Sequence, residues 1–101
     1  MGLKQTSYNV PVGTRGAAFG TINLKDFILE GTGGAKTYGL ATDIPPGWAK
    51  EGAYGIELTS DGKITGKYPN QAINTAMSFT VRISDTDSVT QSMVINLPKI
   101  S

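Results

Sequence analysis

Between Met77 and Leu97 the chain alternates apolar and polar side chains almost without a break. Met77, Phe79, Val81 and Ile83 are separated by Ser78, Thr80, Arg82 and Ser84. After Asp85-Thr86-Asp87-Ser88, the residues Val89, Gln91, Met93, Ile95 and Leu97 are separated by Thr90, Ser92, Val94 and Asn96. A period of two puts every second side chain on one face of a strand, whereas on a helix it would scatter apolar groups around the whole circumference. The pattern predicts an antiparallel hairpin with one buried and one wet face, closed by a turn at Asp85–Ser88 and ended by Pro98. It also argues against a parallel α/β sheet, whose strands read as unbroken apolar runs.

The rest of the chain follows the same pattern in shorter pieces. Tyr8, Val10 and Val12 alternate, and Pro11, which has no N–H to donate, predicts an edge strand or one that switches sheets. Ala18 to Leu29 reads as extended, with Ile22 and Leu24 as its core pair; a short helix fits only over Lys25–Glu30. Lys36 to Thr42 reads as a strand with Tyr38 and Leu40 facing inward. Asp43-Ile44-Pro45-Pro46-Gly47 stops it, since two prolines and a glycine cannot continue a ladder. Gly55–Thr59 and Ile64–Tyr68 flank Ser60-Asp61-Gly62-Lys63, and Asp-Gly between alternating runs signals a hairpin. About seven short strands at these spacings predict an all-β sandwich. The expected core is Ile22, Leu24, Leu40, Ile56, Leu58, Ile64, Phe79, Val81, Ile83, Met93, Ile95 and Leu97.

A chain of 101 residues is the length of one domain and can bury a single core without cross-links. Residues 1–5 and 98–101 read as linker. Cysteine and histidine are both absent. That removes thiol nucleophiles, disulfides, thiolate metal sites and the Ser-His-Asp and Cys-His catalytic arrangements. Paired carboxylates, a lysine base and calcium stay open. A net charge of +1 with scattered Lys and Arg gives no basic face for nucleic acid. No apolar run approaches the roughly 20 residues needed to span a bilayer, so no membrane insertion is expected.

One ordered set of segments is similar to a known family. Ile44-Pro45-Pro46-Gly47, Gly55-Ile56-Glu57-Leu58, Gly62 to Pro69 and Ser78 to Asp85 together resemble the bacterial Ig-like, dystroglycan-type cadherin-like domains. Tyr38-Gly39-Leu40 fits the strand before the Pro-Pro-Gly turn, and the resemblance spans residues 36 to 97. The departure is at Trp48–Tyr54, where family members run straight into the next strand. The resemblance implies an immunoglobulin-like or cadherin-like β-sandwich of about seven antiparallel strands. It implies a non-catalytic spacer, adhesion or carbohydrate-associated module within a larger secreted or cell-surface protein. Its partners would be neighbouring domains of the parent chain, a carbohydrate or a surface protein, and it brings no catalytic residues.

Four groups of residues are candidates for chemistry, each with a simpler reading. Asp85 and Asp87 form a D-x-D run of the kind that holds calcium at cadherin-like junctions; aspartates are also favoured in plain turns. Further ligands would have to come from Asp43 or Asp61. Trp48 and Tyr54, with Tyr38 and Tyr68 as neighbours, could present an aromatic platform to a sugar or a protein; the simpler reading has Trp48 capping the open end of the core. Lys25, Asn96 and Glu57 are the residue types of an intramolecular Lys–Asn bond, and each also suits a solvent-facing position. Gly33-Gly34-Ala35-Lys36-Thr37 resembles the end of a phosphate loop, but it lacks the glycine before the lysine and no helix follows.

Overall fold

A computed structural model describes residues 2–29, 35–48, 55–86 and 90–101. Seven strands run through them: β1 (Ser7–Asn9), β2 (Ile22–Asn23), β3 (Lys36–Leu40), β4 (Glu57–Leu58), β5 (Lys63–Thr65), β6 (Met77–Asp85) and β7 (Thr90–Leu97). They form two sheets, one of order β1-β7-β6-β3 and one of order β2-β5-β4. A single 3₁₀ turn, Leu24–Phe27, follows β2. The fold is almost wholly β.

The hairpin read from the alternation is the backbone of the larger sheet. β6 and β7 pair antiparallel from Met77↔Leu97 to Ser84↔Thr90. Phe79, Val81, Ile83, Met93, Ile95 and Leu97 all point inward and are buried. They share one core with Ile22, Leu24, Ile56 and Ile64 from the smaller sheet and its flanks. Burying a side chain of this size contributes about 1.5–3 kcal/mol, so this face is the main source of stability.

One pair departs from the expected antiparallel architecture. β1 runs parallel to β7, with Ser7↔Val94, Tyr8↔Ile95 and Asn9↔Asn96 in register, so the four-stranded sheet is mixed. Side-chain alternation shows that a sheet has one wet face and which face a residue takes, but it does not fix the direction of one particular neighbour at an edge. β1 is an edge strand, and after Asn9 the chain passes Pro11 and crosses to the other sheet, so both placements that the missing N–H of Pro11 allows are met here.

Three further differences have local causes. Ala18–Leu29 is extended only in part, because Asn23 caps the Leu24–Phe27 turn by accepting the Lys25 N–H on its side chain, 3.2 Å away. Leu40 was expected in the core and is 45% exposed, while Leu58 is half-buried. Leu40 ends the edge strand β3, and the opposite sheet, built of two- and three-residue strands, does not cover that length. The ends read as linker are tied into the fold. Leu3 bridges Ile28, and Ile100, 3% exposed, exchanges two backbone hydrogen bonds with Ile73 at 2.8 and 2.9 Å.

The described fold measures 42 × 23 × 20 Å. Nine residues of β6 at about 3.3 Å each span roughly 30 Å, which only the long axis accommodates. Because the first and last strands run parallel along that axis, the chain enters at one pole and leaves at the other.

Candidate functional site

The exit pole is closed by rings. Pro45-Pro46-Gly47 makes a tight reversal in which the Trp48 N–H donates to the Pro45 carbonyl at 3.1 Å, and Gly47 adopts φ +89°. Only a residue tolerant of positive φ fits third in such a turn, which is why the glycine follows the prolines. The turn swings Trp48 inward, where it is 1% exposed. Its ring lies 6.3 Å from Phe19 and 6.2 Å from Tyr68, and Phe19 and Tyr68 stand 6.0 Å apart, edge to face. The Tyr68 ring packs against Gly13, and its hydroxyl donates to the Pro11 carbonyl at 2.5 Å. Burial pushes the Tyr68 phenol above its usual range, with a smaller contribution from Tyr8.

Trp48 thus caps the core, and its faces are taken up by other rings. No stacking surface for a sugar is offered by it in this arrangement, and Tyr54 lies outside the described residues. Tyr38 is at the opposite pole, its ring resting on Gly62 of the β4–β5 hairpin. Burial, and then the Asp61 carboxylate, raise its phenol above the ordinary value. The Tyr38 hydroxyl and the Trp48 indole N–H are buried without a hydrogen-bond partner.

Asp85 was placed in a turn by the sequence; it is instead the last residue of β6 and continues the inward row of Phe79, Val81 and Ile83. Its register partner across β3 is Lys36. Asp87 lies outside the described residues. Among the described residues no cluster of three or more acidic side chains is grouped as a cation site. Lys25 and Glu57 are exposed, and the Asn96 amide donates to Asn9 Oδ1 at 2.9 Å, so the buried carboxylate that a Lys–Asn bond requires is not supplied by Glu57.

The outer faces of the two sheets differ in charge. The smaller sheet turns out Glu57, Lys63 and Thr65, with Lys67 just beyond, and carries an open groove of about 350 Å³ floored by Gly20, Gly55 and Gly66. The larger sheet turns out Ser78, Thr80, Arg82 and Ser84 from β6, and Thr90, Ser92, Val94 and Asn96 from β7. Its edges add Ser7 and Asn9 from β1, and Thr37 and Gly39 from β3. Arg82 is the only charge among these positions. It sits across from Gly39 in register, at a shallow notch of about 180 Å³ lined by Thr37, Tyr38, Gly39, Arg82 and Ser84. In the sequence Arg82 is one of several scattered cations, and Gly39 is part of a strand. A glycine inside an alternating run was the available signal, but its pairing with Arg82 requires the register.

Comparison with protein-family models, with curated proteins and with solved structures found no match to this chain.

Proposed function

We propose that the chain is a non-catalytic, immunoglobulin-like link module: one bead of a longer secreted or cell-surface protein, which spaces or holds its neighbours. The observation that carries this reading is the parallel pairing of β1 with β7. The strand order also accords with an Ig-like division, in which the third, sixth and last strands share one sheet and the second, fourth and fifth the other. The parallel pair sends the two ends of the chain out at opposite poles, as head-to-tail stringing requires. The ordered Pro-Pro-Gly, Asp-Gly and period-two segments support the same family reading and, through it, an exported parent. The two grooves named above are open to solvent, which suits a surface role.

A link of this kind should bear load through its ends. Tension along the axis pulls β1 and β7 past each other, so the bonds Val94 N–H to Thr6 O and Val10 N–H to Asn96 O, each 2.9 Å, are strained together rather than in turn. Single-molecule force spectroscopy tests this. Pulled through its two ends, the module should rupture in one step at high force. Pulled between Lys4 and Ser60, which lie at the same pole, it should open at lower force as β1 peels away. Equal rupture forces in both geometries would contradict a load-bearing link.

A further inference from the structure

We infer that the Gly39–Arg82 notch is a docking site for a single carboxylate side chain of a partner protein. Two independent observations meet there. The first concerns Gly39. A glycine inside a strand weakens it, and such residues mark a bulge, a positive φ or a close approach by something else. Gly39 is not among the glycines of positive φ, and a Cβ built on it would meet nothing within 4 Å. Nothing within the described fold requires a glycine at this position, whereas Gly13, Gly47, Gly62 and Gly66 each have a side chain packed against them. An approaching group from outside supplies the missing reason.

The second observation is the charge of the face. Soluble domains ordinarily carry about a quarter of their residues as charges. Here the outward rows are hydroxyls and amides apart from Val94, and their one charge stands beside Gly39. Depletion of Lys, Asp and Glu with an Arg retained is one feature shared with contact surfaces, which differ from this face in being poor in Ser. The Arg82 guanidinium makes no ion pair among the described residues, and it presents a planar fork of donors that matches a carboxylate. Thr37 and Ser84 bring hydroxyl groups to the same notch.

The size of the notch selects the occupant. At about 180 Å³ it is below the range of about 300–1,000 Å³ that holds a small molecule, and it suits the tip of one side chain. The outward rows around it carry no aromatic residue, and the one ring that lines the notch, Tyr38, belongs to the inward row and rests on Gly62, which favours a protein surface over a stacked sugar. A second copy docking by this same face would set Arg82 against Arg82 with no acid to pair it, so the partner must bring its own Asp or Glu.

The test is an amide-resolved NMR titration with a tetraglutamate peptide, and with tetraglutamine as the neutral control. The proposal expects shifts confined to residues 37–39 and 82–84 with the acidic peptide alone, weakening as salt is raised. Arg82→Gln should weaken binding about 10- to 100-fold, the cost of one charged hydrogen-bonding partner. Gly39→Ala should weaken it too while raising the denaturation midpoint of the free protein, which separates a blocked notch from a damaged fold. Equal response to tetraglutamine, shifts that survive Arg82→Gln, or tighter binding by Gly39→Ala would each overturn the proposal. So would no response up to millimolar peptide. A response to an oligoglucuronate and none to the peptide would overturn the assignment to a protein partner. Loss of this site would leave the load-bearing reading intact, because that reading rests on β1 and β7.

Discussion

The two sheets reach a shared core by different means. The four-stranded sheet is built on strands of eight and nine residues whose alternation fixes every inward side chain. The three-stranded sheet has strands of two and three residues, too short to be held by their ladders alone. It is held by rings packed on glycines: Tyr68 on Gly13, Phe19 on Gly66 and Tyr38 on Gly62. One sheet is specified by pattern, the other by shape at particular points. Substitutions should therefore behave differently in the two regions.

The largest effect belongs to the patterned sheet. Phe79→Ala empties a fully buried site between the sheets and should cost about 3–5 kcal/mol in chemical denaturation. A loss below about 1 kcal/mol would mean that β6 does not carry the core.

A smaller loss is expected where glycine meets ring. A Cβ on Gly13 would stand 2.3 Å from the Tyr68 ring, and one on Gly62 would stand 2.7 Å from Tyr38 on a backbone of φ +85°. Gly13→Ala and Gly62→Ala should each cost about 1–3 kcal/mol, the usual penalty of overpacking. Gly39→Ala sharpens the contrast, because the added methyl meets open space. It should stabilise the protein by about 0.4–1 kcal/mol by narrowing the unfolded ensemble. If all three glycines respond alike, the distinction between the regions fails.

The last difference is one of pH. Tyr38 and Tyr68, one at each pole, have phenols raised by burial. The folded state then holds its protons to higher pH than the unfolded chain does. Their contribution is complete below about pH 10, the ordinary tyrosine value, and declines as pH rises through the raised folded values. Denaturation midpoints should fall above that pH, and the fall should be shallower in Tyr38→Phe and Tyr68→Phe. An unchanged slope in both variants would separate these rings from the alkaline transition.

What was legible in the sequence follows the same division. Phe79, Val81, Ile83, Met93, Ile95 and Leu97 were placed by period alone, and all are buried. The Asp-Gly hairpin and the Pro-Pro-Gly stop were readable because each needs a particular backbone shape; Gly62 and Gly47 adopt positive φ there. Leu40 misled because its pattern is right for its face, but its depth depends on how far the other sheet extends. Ile73 and Ile100 lie in segments without alternation, and their mutual pairing helps bring both into the core. The direction of β1 and the meeting of Gly39 with Arg82 are matters of strand order and register. Local pattern does not encode them.

The central claim is that the parallel β1–β7 pair sends the chain out at opposite poles. The sequence holds no cysteine, so Lys4→Cys and Ser101→Cys, both at exposed positions, create two unique labelling sites. A spin-label distance measurement on this double variant reads the separation directly. The account predicts one narrow, long distance comparable with the 42 Å axis. A short distance, near the 20 to 23 Å of the minor axes, would put both ends at one pole and contradict it.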